Sequence, residues 1–136
     1  MAPKPPTIVD LTWTDRLSFS ADLSKTSMVI DSSGTAGPSP VEMLAAALAG
    51  CMSIDLAHIL TRGRHPFTGL RSRLVAARAD DEPHRMVAVT LHFTVRGDVP
   101  ADAVERAVRL SRDKYCSVWH SMRQDIDLQV TFELEP

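Results

Sequence analysis

The stretch Ser39–Arg62, SPVEMLAAALAGCMSIDLAHILTR, decides how this chain folds. Ser39, Pro40 and Glu42 have the residue types of N-cap, N1 and N3, a capping box with proline in the first turn. The helix they open can run to Arg62, where Gly63 offers a stop and Pro66 prevents a restart. At 1.5 Å per residue that is about 34 Å of helix. Its apolar residues, among them Val41, Met43, Leu44, Leu48, Ile54, Leu56 and Ile59, are not confined to one stripe. A helix apolar nearly all round is expected to be buried on several sides. In a domain of this size that implies a central helix, covered in part by a second subunit.

Working outward, three short runs precede the helix: TIVDLTW, LSFSADL and TSMVID. Apolar and polar positions roughly alternate in them, as in strands. The Gly-, Ser- and Pro-rich Asp31–Pro40 segment reads as a loop. After the helix, GLRSRLVAARAD and RMVAVTLHFTVRG read as two long strands of an antiparallel hairpin joined at DDEPH. Val87, Val89, Leu91, Phe93 and Val95 share one face, and Thr90, His92 and Thr94 the other. PADAVERAVRLSRDKY is helical by spacing, with Asp102 and Glu105 as its capping pair. CSVWHSM starts a short further helix, and IDLQVTFELE alternates as a final strand. The fold class is α+β. No linker or repeat divides residues 1–136, so a single domain is expected, with residues 1–6 as a disordered or extended tail.

Hydrophobic residues make up 44% and charged residues 24% of the 136 residues, a globular composition. A formal net charge of −2 and 5% aromatic residues give no case for nucleic acid or an anionic membrane surface. The N-terminus lacks a signal-peptide core, and Glu42, Asp55 and His58 make the long apolar run read as too polar for a membrane span. The expected compartment is the cytoplasm.

The two cysteines, Cys51 and Cys116, lie 65 residues apart. A reducing compartment disfavours a permanent disulfide. Two inert thiols, a transient redox pair and part of a metal site all stay open. Cys51 sits among alanine, leucine and methionine, where a thiol packs as a small hydrophobe. Asp55, one turn on, would disfavour its thiolate. Cys116 lies near a helix start with Arg112, Lys114 and Arg123 in its vicinity, a setting that lowers a thiol pKa. Cys116 and His120 have C-x3-H spacing, but no second close pair accompanies them, so no metal is expected. No partner marks a hydrolase triad, and no glycine-rich loop matches a phosphate cradle. Trp13, Tyr115 and Trp119 read as core or interface residues.

In combination, SPVEMLAAALAGCMSID and, 65 residues after its cysteine, KYCSV resemble the OsmC/Ohr family of osmotically induced and organic hydroperoxide resistance proteins. LTRGR and VRLSRDKYCSVWHSM look most like the OsmC-like branch. The resemblance spans about Val9 to Glu133. It implies an intertwined homodimer with the long central helices buried between antiparallel sheets. It also implies that Cys51 and Cys116 approach each other. By analogy Cys51 attacks an organic hydroperoxide and becomes a sulfenic acid, Cys116 condenses with it to a disulfide, and a small dithiol or thiol-disulfide protein restores both thiols. No metal or organic cofactor is implied. The family pairs an arginine and a glutamate beside the thiolate, and Arg16 and Glu42 are the nearest residues here. Counting from the cysteine, the family's glutamate falls at Val41, one residue and 100° of helix from Glu42, and the glycines that flank the arginine are absent. The alternative is a non-catalytic dimer of the same fold that binds a small hydrophobic ligand.

Overall fold

In the computed structural model, residues 3–136 are described; Met1 and Ala2, the first part of the expected tail, lie outside them. Pro3–Val9 are exposed and carry no regular secondary structure. The chain divides into two compact units, Met1–Leu44 and Ala45–Pro136.

The first unit is an antiparallel meander of β1 (Asp10–Asp15), β2 (Ser18–Asp22) and β3 (Ser27–Asp31), with β2 in the middle. β1 starts later than the alternating run because its partner ends: Asp10 lies opposite Asp22. The chain then turns, with the Leu23 N–H donating to the Thr26 carbonyl at 2.8 Å. Arg16 occupies the β1–β2 turn at φ 48°, a left-handed conformation without glycine. The Trp13 indole N–H donates to the Arg16 carbonyl at 2.7 Å and closes that turn. Its ring remains 63% exposed, and Ile8, Leu11 and Leu17 are also more than half exposed in the single chain.

Asp31 organises the loop that follows. Its carboxylate accepts the Ala36 N–H (3.0 Å), the Ser33 hydroxyl (2.8 Å) and the Ser18 hydroxyl (3.0 Å). The loop amides therefore converge on a group of the protein's own. Gly37 lies so close to β3 that a Cβ there would collide with the Val29 carbonyl. Beyond it the expected capping box forms: the Glu42 N–H donates to Ser39 Oγ at 3.2 Å, and the Ser39 N–H to Glu42 Oε1 at 3.0 Å. It opens α1, Pro40–Arg62, with the bounds expected from sequence. At its end the left-handed residue is Arg64 (φ 60°) rather than Gly63.

α1 continues into the second unit. Its fully buried residues there, Leu48, Met52, Leu56 and Leu60, recur every four positions and form one stripe. Burial on several sides is thus not seen within the single chain: Ile54 is 70% exposed. The helix is also long and apolar enough to cross a membrane by length and composition (mean hydropathy 1.8), so its polar residues do not exclude this as expected. It also makes polar contacts within the second unit. Ser53 and Ser72 hydroxyls meet at 2.9 Å, and the Ser111 hydroxyl donates to Asp55 Oδ2 at 2.7 Å.

β4 (Phe67–Arg78) and β5 (Met86–Gly97) form the expected hairpin, with Leu74 opposite Leu91. β6 (Asp127–Glu135) joins β5, which becomes the central strand. The β5–β6 pair is parallel, so this sheet is mixed rather than wholly antiparallel. A parallel partner requires a long crossover, and the helices between them supply it. Val89, Leu91, Phe93 and Val95 on the central strand are buried as the alternation predicts, each stabilising the unit by about 1.5–3 kcal/mol. The crossover contains α2 (Ala101–Leu110), a π-helical segment (Ser111–Tyr115) and α3 (Ser117–His120). Pro100, not the Asp102–Glu105 pair, is the N-cap of α2, without a side-chain cap.

The Ala36 N–H, then the Ser33 and Ser18 hydroxyls, hold the Asp31 carboxyl well below the usual carboxylate range, against the opposing effect of burial. The folded pKa is depressed, so this stabilisation is complete above the unfolded value of about 3.9 and fades as pH falls below it. Asp31→Asn is expected to melt below wild type at pH 7, with the gap closing in acid. Melting curves across this pH range check it; equal midpoints at pH 7 would remove Asp31 as the loop's organiser.

Candidate functional site

Cys51, Asp55 and His58 follow one another on α1 at i, i+4 and i+7, which places them on one helix face. Cys51 and Asp55 are half-buried. The second cysteine arrives through the crossover. In the π-helical segment the hydrogen-bonded loop spans one more residue than in an α-helix, and the Cys116 N–H closes it by donating to the Ser111 carbonyl at 2.8 Å. Cys116 is then the N-cap of α3, its sulfur accepting the Trp119 N–H at 3.3 Å.

The sulfurs of Cys51 and Cys116 and a carboxylate oxygen of Asp55 all lie within 4.8 Å of one another. Both cysteines are free thiols. Cys116 is fully buried, whereas Cys51 is partly accessible. Burial pushes the Cys116 thiol up to about 11, opposed by the Trp119 N–H and reinforced by the neighbouring Cys51 and Asp55. The lowered pKa expected from a helix start is therefore reversed. A four-residue helix offers little dipole, and desolvation of a thiolate outweighs one N–H···S contact. Cys116 therefore keeps its proton at neutral pH.

Beside the cysteines opens a cleft of about 600 Å³, lined by Asp55, His58, Ile59, Arg62, Gly63, Arg106, Leu110 and Tyr115. Asp55 belongs to both, joining cleft and thiols. His120 stands apart from the cysteines' third partner: its Nε2 meets the Arg112 carbonyl at 2.9 Å. Arg16 and Glu42, the other two residues named from sequence, belong to the first unit, Arg16 in its turn and Glu42 in the capping box.

Asp55 had a legible signal, one helical turn from Cys51. Ser111 had none, because its importance comes from the π-helical turn and from a hydroxyl aimed at Asp55 across 56 positions of sequence.

Residues 32–131 match the family model described as OsmC-like protein. Protein YhfA of Escherichia coli K12 is 33% identical over 125 residues, covering 90% of this chain and 93% of that protein. A hypothetical protein from Aquifex aeolicus VF5 superposes with a TM-score of 0.90 at 24% identity, over 97% of this chain and 98% of that one. An organic hydroperoxide resistance protein OsmC from Legionella pneumophila superposes with a TM-score of 0.71 at 13% identity, over 97% and 99%. At such identities the structural likeness establishes the α+β fold. The matched segment contains α1, both cysteines and the crossover that brings them together, and by it the chain belongs to the OsmC-like protein family.

Proposed function

We propose that this protein is a thiol-dependent peroxidase that reduces organic hydroperoxides in oxidative stress defence. The observation that carries the reading is the approach of the two sulfurs to within 4.8 Å from positions 65 residues apart. The likeness to the organic hydroperoxide resistance protein from Legionella pneumophila supports the substrate class.

Cys51 is the nucleophile because it is the accessible sulfur, and buried Cys116 is the resolving thiol. The Cys51 thiolate attacks the distal peroxide oxygen; the O–O bond breaks, and with one proton the products are Cys51 sulfenic acid and an alcohol. The Cys116 sulfur then displaces hydroxide from the sulfenic acid. A disulfide forms, the thiol proton leaves with the hydroxide as water, and the net change is one peroxide reduced by two thiols. A dithiol returns both cysteines to thiols by exchange and is itself oxidised. A cytoplasmic setting supplies such reductants. Arg16 enters as the cation for the thiolate and Glu42 as its acidic companion, both by family resemblance.

The working form is a homodimer of single-domain chains. The apolar side chains left exposed, Leu11, Trp13, Leu17 and Ile54, support a covering partner. The alignment with Protein YhfA covers 90% of this chain, so it takes in residues of both units, and supports one domain.

Near-stoichiometric cumene hydroperoxide is expected to remove both thiols of the reduced protein, with an intact mass two hydrogens lower. Cys51→Ser abolishes the reaction, and Cys116→Ser halts it at a sulfenic acid trapped by dimedone. Both thiols surviving excess peroxide would sink the reading. Arg16→Ala is expected to slow Cys51 oxidation roughly tenfold or more, as loss of a charge-stabilising group does. Stopped-flow thiol loss measures it, and an unchanged rate removes Arg16 from the reaction.

The cleft favours a second reading, binding of a small apolar ligand without catalysis, through Ile59, Leu110 and Tyr115. A ligand-dependent melting shift that persists in the Cys51→Ser, Cys116→Ser double variant would support it.

A further inference from the structure

We propose that Cys51, Asp55 and Cys116 form a three-ligand site for a divalent transition cation, with zinc the best match to their chemistry. The site shares side chains with the proposed redox pair, but the inference does not rest on peroxide chemistry.

Two sulfurs and a carboxylate oxygen within 4.8 Å of one another are close to the spacing of a tetrahedral zinc centre. Zn–S bonds of about 2.3 Å and Zn–O bonds of about 2.1 Å put ligand atoms about 3.3–3.8 Å apart. Closing the set takes side-chain movements of at most about 1–1.5 Å by that geometry. Thiolate donors select zinc and other thiophilic ions over magnesium and calcium, which take oxygen. Three protein ligands leave a fourth position open, and Asp55 stands on the wall of the adjoining cleft, which gives an entry path for the ion and room for a water or exogenous ligand.

A second shell is already in place. The buried Ser111 hydroxyl holds Asp55 Oδ2 at 2.7 Å and fixes the orientation of the carboxylate. The Trp119 N–H holds the Cys116 sulfur at 3.3 Å. Such outer partners orient ligands and tune their donor strength. The C-x3-H pairing visible in sequence plays no part: among the described residues, the ligand cluster contains Cys51, Asp55 and Cys116 and no histidine. The third ligand instead comes from α1. Cation and disulfide exclude each other, since each requires both sulfurs. A bound ion therefore holds the pair reduced, and its binding displaces the Cys116 proton.

The test uses the full-length protein, reduced, stripped with chelator and desalted under nitrogen, without peroxide. Zinc titrated against a chromophoric chelator is expected to bind once per chain and to protect both thiols from alkylation. Cobalt titrated in its place is expected to give a sulfur-to-cobalt charge-transfer band in the near ultraviolet. Ser111→Ala weakens binding about 10-fold or more, Asp55→Asn does so too, and Cys51→Ser removes the band, while His120→Ala changes none of these. Absence of the cobalt–sulfur band from wild type overturns the proposal, and this outcome needs no variant to fold. Zinc affinity unchanged in folded Asp55→Asn also overturns it, since Asp55 is then no ligand. Because peroxide is absent throughout, failure here leaves the peroxidase reading standing, and failure of peroxide turnover leaves this one standing.

Discussion

The hydrogen bond from the Ser111 hydroxyl to Asp55 Oδ2, 2.7 Å long, joins the two segments that carry the cysteines. Ser111 is fully buried, and a hydroxyl taken out of water without a partner costs roughly 1–3 kcal/mol. The bond therefore selects the arrangement in which the π-helical segment lies against α1. It cannot alone hold that arrangement. Closing a 65-residue loop costs on the order of 4 kcal/mol in chain entropy, and a net hydrogen bond returns only about 1 kcal/mol. The buried apolar residues of the same elements, Leu56 and Leu60 on α1, Val104 and Ala107 on α2 and Trp119 on α3, provide the larger share. Apolar burial brings the elements together, and the polar contact sets how they meet.

That division of labour makes the two thiols unequal. Cys116 is the last residue before α3, fully buried, with its sulfur already engaged by the Trp119 N–H. Cys51 projects from the α1 face that also carries Asp55 and His58, and it is half-buried where Cys116 is fully buried. Raising Cys116 to about 11 keeps its proton in place at neutral pH, so the pair carries at most one negative charge there. An accessible sulfur backed by a buried, protonated one is suited to reaction in sequence. A symmetrical pair would offer the oxidant either sulfur.

The parts of the fold set by local rules were legible. The capping box at Ser39 and Glu42 placed the start of α1, and alternation placed the β4–β5 hairpin and its buried face. The parts set by tertiary demand were not. The π-helical turn at Ser111–Tyr115 has an ordinary helical sequence, and its register depends on a carboxylate on another helix. The parallel placement of β6 beside β5 is a topological choice invisible to periodicity. Arg64 rather than Gly63 takes the left-handed conformation, since the Gly63 N–H still bonds to the Ile59 carbonyl at 3.0 Å and the helix runs on to that point. At the site, Cys51 and Asp55 share a face by simple spacing. Their meeting with Cys116 came only from the family resemblance, because no local pattern links residues so far apart.

The exposed side of α1 gives the remaining constraint. Leu48, Met52, Leu56 and Leu60 bury one stripe, and Ile54 lies about 200° around the helix from Met52 at 100° per residue, 70% exposed. Cys51, Asp55 and His58 occupy the flank between these two apolar sides. Covering Ile54 with a second copy of the chain, as the proposed homodimer does, removes apolar surface from water at about 25 cal/mol per Å². In that proposed dimer the second copy would also wall the flank where the thiols sit. A drier flank strengthens every charge interaction around Cys51 and Asp55. The apolar side of α1 that the single chain leaves exposed, which composition alone would also allow in a membrane, is the surface the proposed homodimer covers, while Cys51, Asp55 and His58 lie along the edge beside it.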